Sequence, residues 1–252
     1  MVVLFFYKIG DKMEKNREIK AIFFDLDGTL LPLEQDFFIK QYFNRIAGYL
    51  APYGVDPKTL IGAILKGTEF MIKNDGNNSN ETVFWKPFFE IMGEDKKYLI
   101  PLLDKFYFSD FKLLKEHTWE NRLAIEAVKV AAKNGQKVVL ATNPVFPMSA
   151  QLERISWLGL SQEDFELITS YENSCFCKPN PKYYLEICDK IRVLPENCLM
   201  IGNDERDDMQ AAMAAGLDGF LVTDCVIKSD SFEWDAANSG SFQNMLNMLK
   251  KM

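Results

Sequence analysis

The chain has 252 residues, enough for one large domain or two smaller ones, and its 48% hydrophobic and 26% charged content is that of a globular protein. A net charge of −7 argues against nucleic acid as a partner, although a bound cation can reverse the sign locally and admit a phosphorylated ligand. The cysteines (Cys175, Cys177, Cys188, Cys198 and Cys225) are odd in number and lack a spaced framework, which points to reduced thiols and a cytoplasmic setting. Cys175-x-Cys177 has no second Cys or His pair beside it, and His117 is the only histidine, so zinc is not expected.

The first apolar run, Met1-Val2-Val3-Leu4-Phe5-Phe6-Tyr7, is too short to span a bilayer and has no basic leader, so neither a signal peptide nor a membrane partner is expected. It reads as an edge strand or an accessory extension, and Met13 could equally be a start. Ile19 to Phe24 then mixes β-branched and aromatic residues in the manner of a buried strand. Directly behind it stands Asp25-Leu26-Asp27-Gly28-Thr29-Leu30. Side chains alternate along a strand, so Asp25 and Asp27 point the same way. Two like charges about 4 Å apart repel by roughly 4 kcal/mol at an effective dielectric near 20. Such a pair persists where a cation, a shared proton or strong donors offset the repulsion. The ordinary alternative is a solvated turn.

From residue 34 to about 113 the pattern is helical, with periodic segments at Gln35 to Leu50, Pro57 to Ile72, Glu81 to Met92 and Lys96 to Phe108. The polar tract from Asn74 to Asn80 is a loop. Aromatics are dense here; most should fill a small helical core, with those near Phe37 and Phe38 the candidates for facing a ligand. Strands and helices then alternate. Strand-like segments are Lys137 to Ala141, Phe165 to Thr169, Cys198 to Ile201 and Gly219 to Val222; helical ones are Asn121 to Lys133, Ser149 to Trp157, Pro181 to Lys190 and Asp207 to Ala215. Lys228 to Gly240 reads as an exposed loop in which Trp234 packs, and Phe242, Met245, Leu246 and Leu249 form the stripe of a docking helix. The expected fold is α/β: a Rossmann-like parallel core of residues 1–33 and 114–252, with an all-helical domain, 34–113, inserted after the first strand. Ligands of such sheets bind beyond the carboxyl ends of the strands.

Asp25/Asp27, Thr142, Lys178 and Asp204/Asp208 fall in chain order at or just beyond strand ends or turns. Together they resemble the four signature motifs of the haloacid dehalogenase superfamily, in its phosphatase branch with a helical cap after the first motif. Asp-x-Asp-Gly-Thr, a strand-end Thr142 and Lys178 before Pro179 all fit. In the fourth motif Asn203 stands where the acid commonly follows Gly202, and Asp204 and Asp208 keep the Asp-x-x-x-Asp spacing. Four aspartates against one lysine leave three net negative charges, which a phosphate dianion tolerates only beside a divalent cation; hard oxygen ligands select Mg²⁺.

The resemblance implies that Asp25 is the nucleophile and Asp27 the general acid and base. It further implies that Thr142 and Lys178 bind the phosphoryl group with backbone amides around Leu26 and Asn143. Asp25, Asp204 and the backbone carbonyl of Asp27 would hold the metal, with Asp208 acting through water or from behind; in a different register Asn203 would face the metal. The hinge of the cap is expected near residues 30–34, with its return near 113–118. The substrate implied is a small phosphorylated metabolite. A dehalogenase is disfavoured by Asp27; a phosphomutase of the same fold and a non-catalytic regulatory protein are the alternatives.

Overall fold

A computed structural model describes residues 18–252, so the N-terminal apolar run and Met13 lie outside the described residues. Strand β1 (Ala21–Phe24) lies inside a six-stranded, all-parallel sheet of order β3-β2-β1-β4-β5-β6. Its neighbours are β2 (Lys137–Leu140), with Ala21 opposite Lys137, and β4 (Cys198–Gly202), with Ala21 opposite Cys198. Outside these lie β3 (Leu167–Ile168), β5 (Asp218–Val222) and β6 (Ser239–Gly240). The continuous apolar run of β1 follows from burial on both faces. Ile22 and Phe24 join one hydrophobic cluster, and Ala21 and Phe23 join the other. The chain fills one side of β1 with β2 and β3 before crossing to β4, so β1 and β4 flank the topological switch point.

Helices α1 (Gln35–Leu50), α2 (Pro57–Ile72), α3 (Asn80–Met92) and α4 (Ile100–Phe108) form the insertion between β1 and α5 (Arg122–Lys133). Its two connections run side by side: the Trp119 amide donates to the Pro32 carbonyl at 2.9 Å, and the Asn121 side chain to Leu30 at 3.0 Å. The insertion also rests on the sheet loops through α3, whose Asn80 and Glu81 amides donate to the Ser174 and Tyr171 carbonyls, each at 2.8 Å. Helix α6 (Met148–Trp157) links β2 to β3, and α7 (Pro181–Ile191) links β3 to β4. Helix α9 (Phe242–Leu249) buries the expected stripe Phe242, Met245, Leu246 and Leu249.

Three stretches differ from the sequence reading. Lys96 to Phe108 is not one helix: a 3₁₀ segment, Glu94–Leu99, hands over to α4 at Pro101, whose missing N–H is tolerated in a first turn. The helix read from Asp207 starts earlier, as a π-helical turn Glu205–Gln210 capped by the Asp204 carboxylate, before α8 (Ala211–Ala214). Within the loop read over 228–240, Ser239–Gly240 pairs with the end of β5, while Trp234 packs as expected, buried with its indole donating to Asn238 at 3.0 Å. A two-residue strand carries no alternation to read.

Candidate active site

The carboxyl ends of β1, β2 and β4 bring the singled-out residues together. Lys178, 3% exposed, reaches from the loop before α7 and donates to Asp25 Oδ1 at 2.7 Å and to Asp208 Oδ1 at 2.6 Å. The second oxygen of Asp208 accepts the backbone amides of Asn203 and Asp204, each at 3.0 Å. That carboxylate folds so closely over β4 that a Cβ at Gly202 would collide with it, which explains the glycine there. Burial lifts the Asp25 carboxyl to about 7, Lys178 pulling it down and Asp208 pushing it up. Burial also opposes the charge on Lys178, but Asp208 and Asp25 outweigh it and hold the ammonium well above its ordinary value.

Thr142 is buried, and its carbonyl is fixed by the hydroxyls of Thr169 at 2.7 Å and Tyr183 at 2.8 Å. Leu26 is fully buried beneath the turn, and Asn143 keeps a buried side-chain oxygen without a partner. Gly28 takes φ +81°, a left-handed conformation that favours glycine, and Asn203 fills the space a Cβ would need. Asn203 uses its amide locally, accepting from the Thr29 hydroxyl at 3.1 Å and donating to the Cys225 carbonyl at 2.7 Å. One oxygen of Asp204 caps the next turn, and burial raises its carboxyl. Asp27, Gly28, Asn203 and Asp204 together line a cleft of about 520 Å³ whose rim includes Glu34 and Trp119.

One residue escaped the sequence reading. Arg154 of α6, with no exposed surface, donates to Asp27 Oδ2 and to Gln151 Oε1, and its guanidinium lies 4.8 Å from the centre of the Phe146 ring. The other Asp27 oxygen is buried without a partner. Arg154 corrects the charge balance from three net negative charges to two. In the sequence its one trace is spacing, since Gln151 and Arg154 share a helical face with Ala150 and Ile155, all four of which α6 buries.

Of the four aspartates singled out, Asp25, Asp27, Asp204 and Asp208, two have side chains engaged by other groups. Asp208 spends both oxygens on Lys178 and backbone amides, and Asp27 turns to Arg154. Among the described residues no group of three or more His, Cys, Asp or Glu side chains is gathered for a metal. Phe38 is not ligand-facing but packs in the core near Trp157, whereas Phe37 is half exposed with its ring against His117. No helix of the described residues is long and apolar enough to cross a membrane.

A parallel sheet with a helical insertion after β1, and a buried Asp–Lys–Asp cluster at the switch point, define a hydrolase of the haloacid dehalogenase type. The model of haloacid dehalogenase-like hydrolases matches residues 19–216, and the chain belongs to that family, in its phosphatase branch. It is 26% identical over 201 residues to a phosphorylated carbohydrates phosphatase of Thermotoga maritima, covering 79% of this chain and 83% of that one. It is 27% identical over 208 residues to a phosphoglycolate phosphatase of Nitrosospira multiformis, covering 81% and 83%. The crystal structure of a HAD phosphatase from Thermococcus onnurineus superposes with a TM-score of 0.56 at 18% identity, over 91% of this chain and 97% of that one, a likeness of fold.

Proposed function

We propose that the chain is a Mg²⁺-dependent phosphohydrolase of small phosphorylated metabolites, working through an aspartyl-phosphate in the cytoplasm. The observation that carries this reading is Lys178 clamped between Asp25 and Asp208 at the switch point, with Asp27 two residues after Asp25 and near enough for its charge to act on that carboxyl. The names of the relatives, phosphatases of phosphoglycolate and of phosphorylated carbohydrates, support the substrate class.

With Lys178 on Oδ1, the other oxygen of Asp25 is the one that attacks phosphorus, forming the new P–O bond as the ester P–O bond breaks. Asp27 gives its proton to the departing alcohol from the oxygen that Arg154 leaves free, and later takes a proton from the attacking water. The Thr142 hydroxyl, Lys178 and the amides around Leu26 and Asn143 receive the phosphoryl oxygens. Two net negative charges against an incoming dianion, with hard oxygen donors at strand ends, fit a divalent cation such as Mg²⁺. Asp25, Asp204 and the carbonyl of Asp27 would hold it, and it would supply charge stabilisation for the transferring group. Residues 34–113 act as a cap hinged at the paired connections near Leu30–Pro32 and Trp119–Asn121.

Release of phosphate from a generic aryl phosphate, with Mg²⁺ and then with chelator, tests the reading. Turnover should vanish with chelator and fall by at least about 10³-fold in Asp25→Asn, since the covalent route is lost. Conversion of one sugar phosphate isomer to another without phosphate release would instead identify a mutase, and inert metal-loaded protein a regulatory role.

A further inference from the structure

The insertion does not close flush on the sheet. Helices α1 to α4 and the loop after β2 enclose a cavity of about 160 Å³. Its walls are almost wholly apolar, with Tyr42 and Phe43 from α1, Phe84 and Trp85 from α3, and Phe146 from the sheet loop. Aromatic rings of the insertion stack directly on each other, as the wall residue Trp85 does on Phe89 at 5.5 Å, so there is no shortage of side chains to fill this volume. Protein interiors are close-packed and rarely leave voids of this size. An apolar cavity of about 150 Å³ stays dry and takes up benzene. No lysine or arginine lines it, so it does not suit the phosphate itself. The polar side chains among its lining residues are the Tyr42–Tyr107 hydroxyl pair, 2.9 Å apart, Tyr171, Thr68, Trp85 and Asp104.

Its position ties it to the carboxylates. Val145, on its floor, is the third residue after Thr142, so chain length alone keeps the two within about 11 Å. Phe146 belongs to both places: it lines the cavity, with its ring 5.2 Å from that of Tyr42, and it carries the guanidinium of Arg154 that holds Asp27. Tyr171, also lining the cavity, is fixed to the same loop by its amide, which donates to the Phe146 carbonyl at 3.0 Å.

We propose that this cavity receives the apolar part of the substrate, so that the enzyme favours phosphate monoesters of alcohols bearing an aromatic ring or a short aliphatic group. The inference rests on the phosphatase reading. Moving one methylene from water onto such a surface is worth about fourfold in kcat/KM.

The test is phosphate release by the Mg²⁺-loaded full chain from ethyl, butyl and benzyl phosphate, with glycerol phosphate as a polar match in size. The expected kcat/KM rises about 15-fold from ethyl to butyl and further to benzyl, with glycerol phosphate at or below ethyl. Thr68→Phe fills the cavity from α2, and Val145→Phe from the opposite wall; each should bring the butyl-to-ethyl ratio close to one. A flat or falling series with phosphate released overturns the inference and leaves the phosphatase reading standing. A steep series that neither filling variant changes places the apolar contact elsewhere and also overturns it. Absence of release from every ester defeats the phosphatase reading, and the inference with it.

Discussion

Arg154 changes how Asp27 is understood. A guanidinium is charged at any working pH and its planar fork holds a carboxylate in one orientation. With Asp27 Oδ2 and Gln151 on its two ends and the Phe146 ring against it, the group is held in place although its Nε has no partner, and the orientation of the Asp27 carboxylate is held with it. The role implied is positioning, and leaving-group chemistry separates it from packing. Proton donation matters for an alkoxide and hardly at all for p-nitrophenolate, which leaves unprotonated. Arg154→Met should therefore lower kcat for alkyl phosphates by about 10²- to 10⁴-fold while leaving p-nitrophenyl phosphate far less affected. Arg154→Lys should recover part of the alkyl rate. Equal losses on both substrates would mean that Arg154 only supports the fold.

At the scale of elements, α3 is joined to the sheet loops by hydrogen bonds, and Asn80 is the joint. It is wholly buried; its backbone amide bonds Ser174, and its side chain accepts from Asn74 at 2.9 Å while pointing its amide toward the Pro144 and Phe176 carbonyls. Asn80→Ala strands those buried acceptors and should cost about 1–3 kcal/mol, read as a lower denaturation midpoint in urea. A change within a few tenths of a kcal/mol would mean that water replaces the side chain. The expected loop at Asn74 to Asn80 gave no hint of this joint, because its partners lie far away in the chain. The same limit runs through the molecule. Helices α1 and α2 were legible to the residue, since long amphipathic segments with caps such as Asp56 carry their own boundaries. Strands β1, β2, β4 and β5 were legible as apolar runs with polar ends, which also placed Asp25, Thr142 and Asp204. Strand β6 was not, because its two residues are defined by the edge they join. Arg154 was passed over because a charged residue on a helix is normally solvated, and only the packing of α6 against the sheet shows that it is not.

For the molecule as a whole, the distribution of charge matters more than its sum. Of a net −7, two negative charges remain among Asp25, Asp27, Asp204 and Asp208 even after Lys178 and Arg154 are counted, and Asp207 lies beside them. Burial raises the carboxyls of Asp204 and of Asp207, the latter to about 6, so the folded state resists full ionisation there. A divalent cation that binds only the folded chain relieves this strain and stabilises the fold by mass action, about 2.7 kcal/mol at a hundred times its Kd. For a chain of this length that corresponds to a rise in Tm of about 5–10 °C on adding Mg²⁺, reversed by chelator. Asp204→Asn should blunt the rise, because it removes a proposed ligand, whereas Glu69→Gln, on the solvent face of α2, should leave it intact. A Tm indifferent to Mg²⁺ in the unaltered chain would mean that the carboxylates are balanced by Lys178 and Arg154 alone, and that phosphate must bind without a metal to receive it.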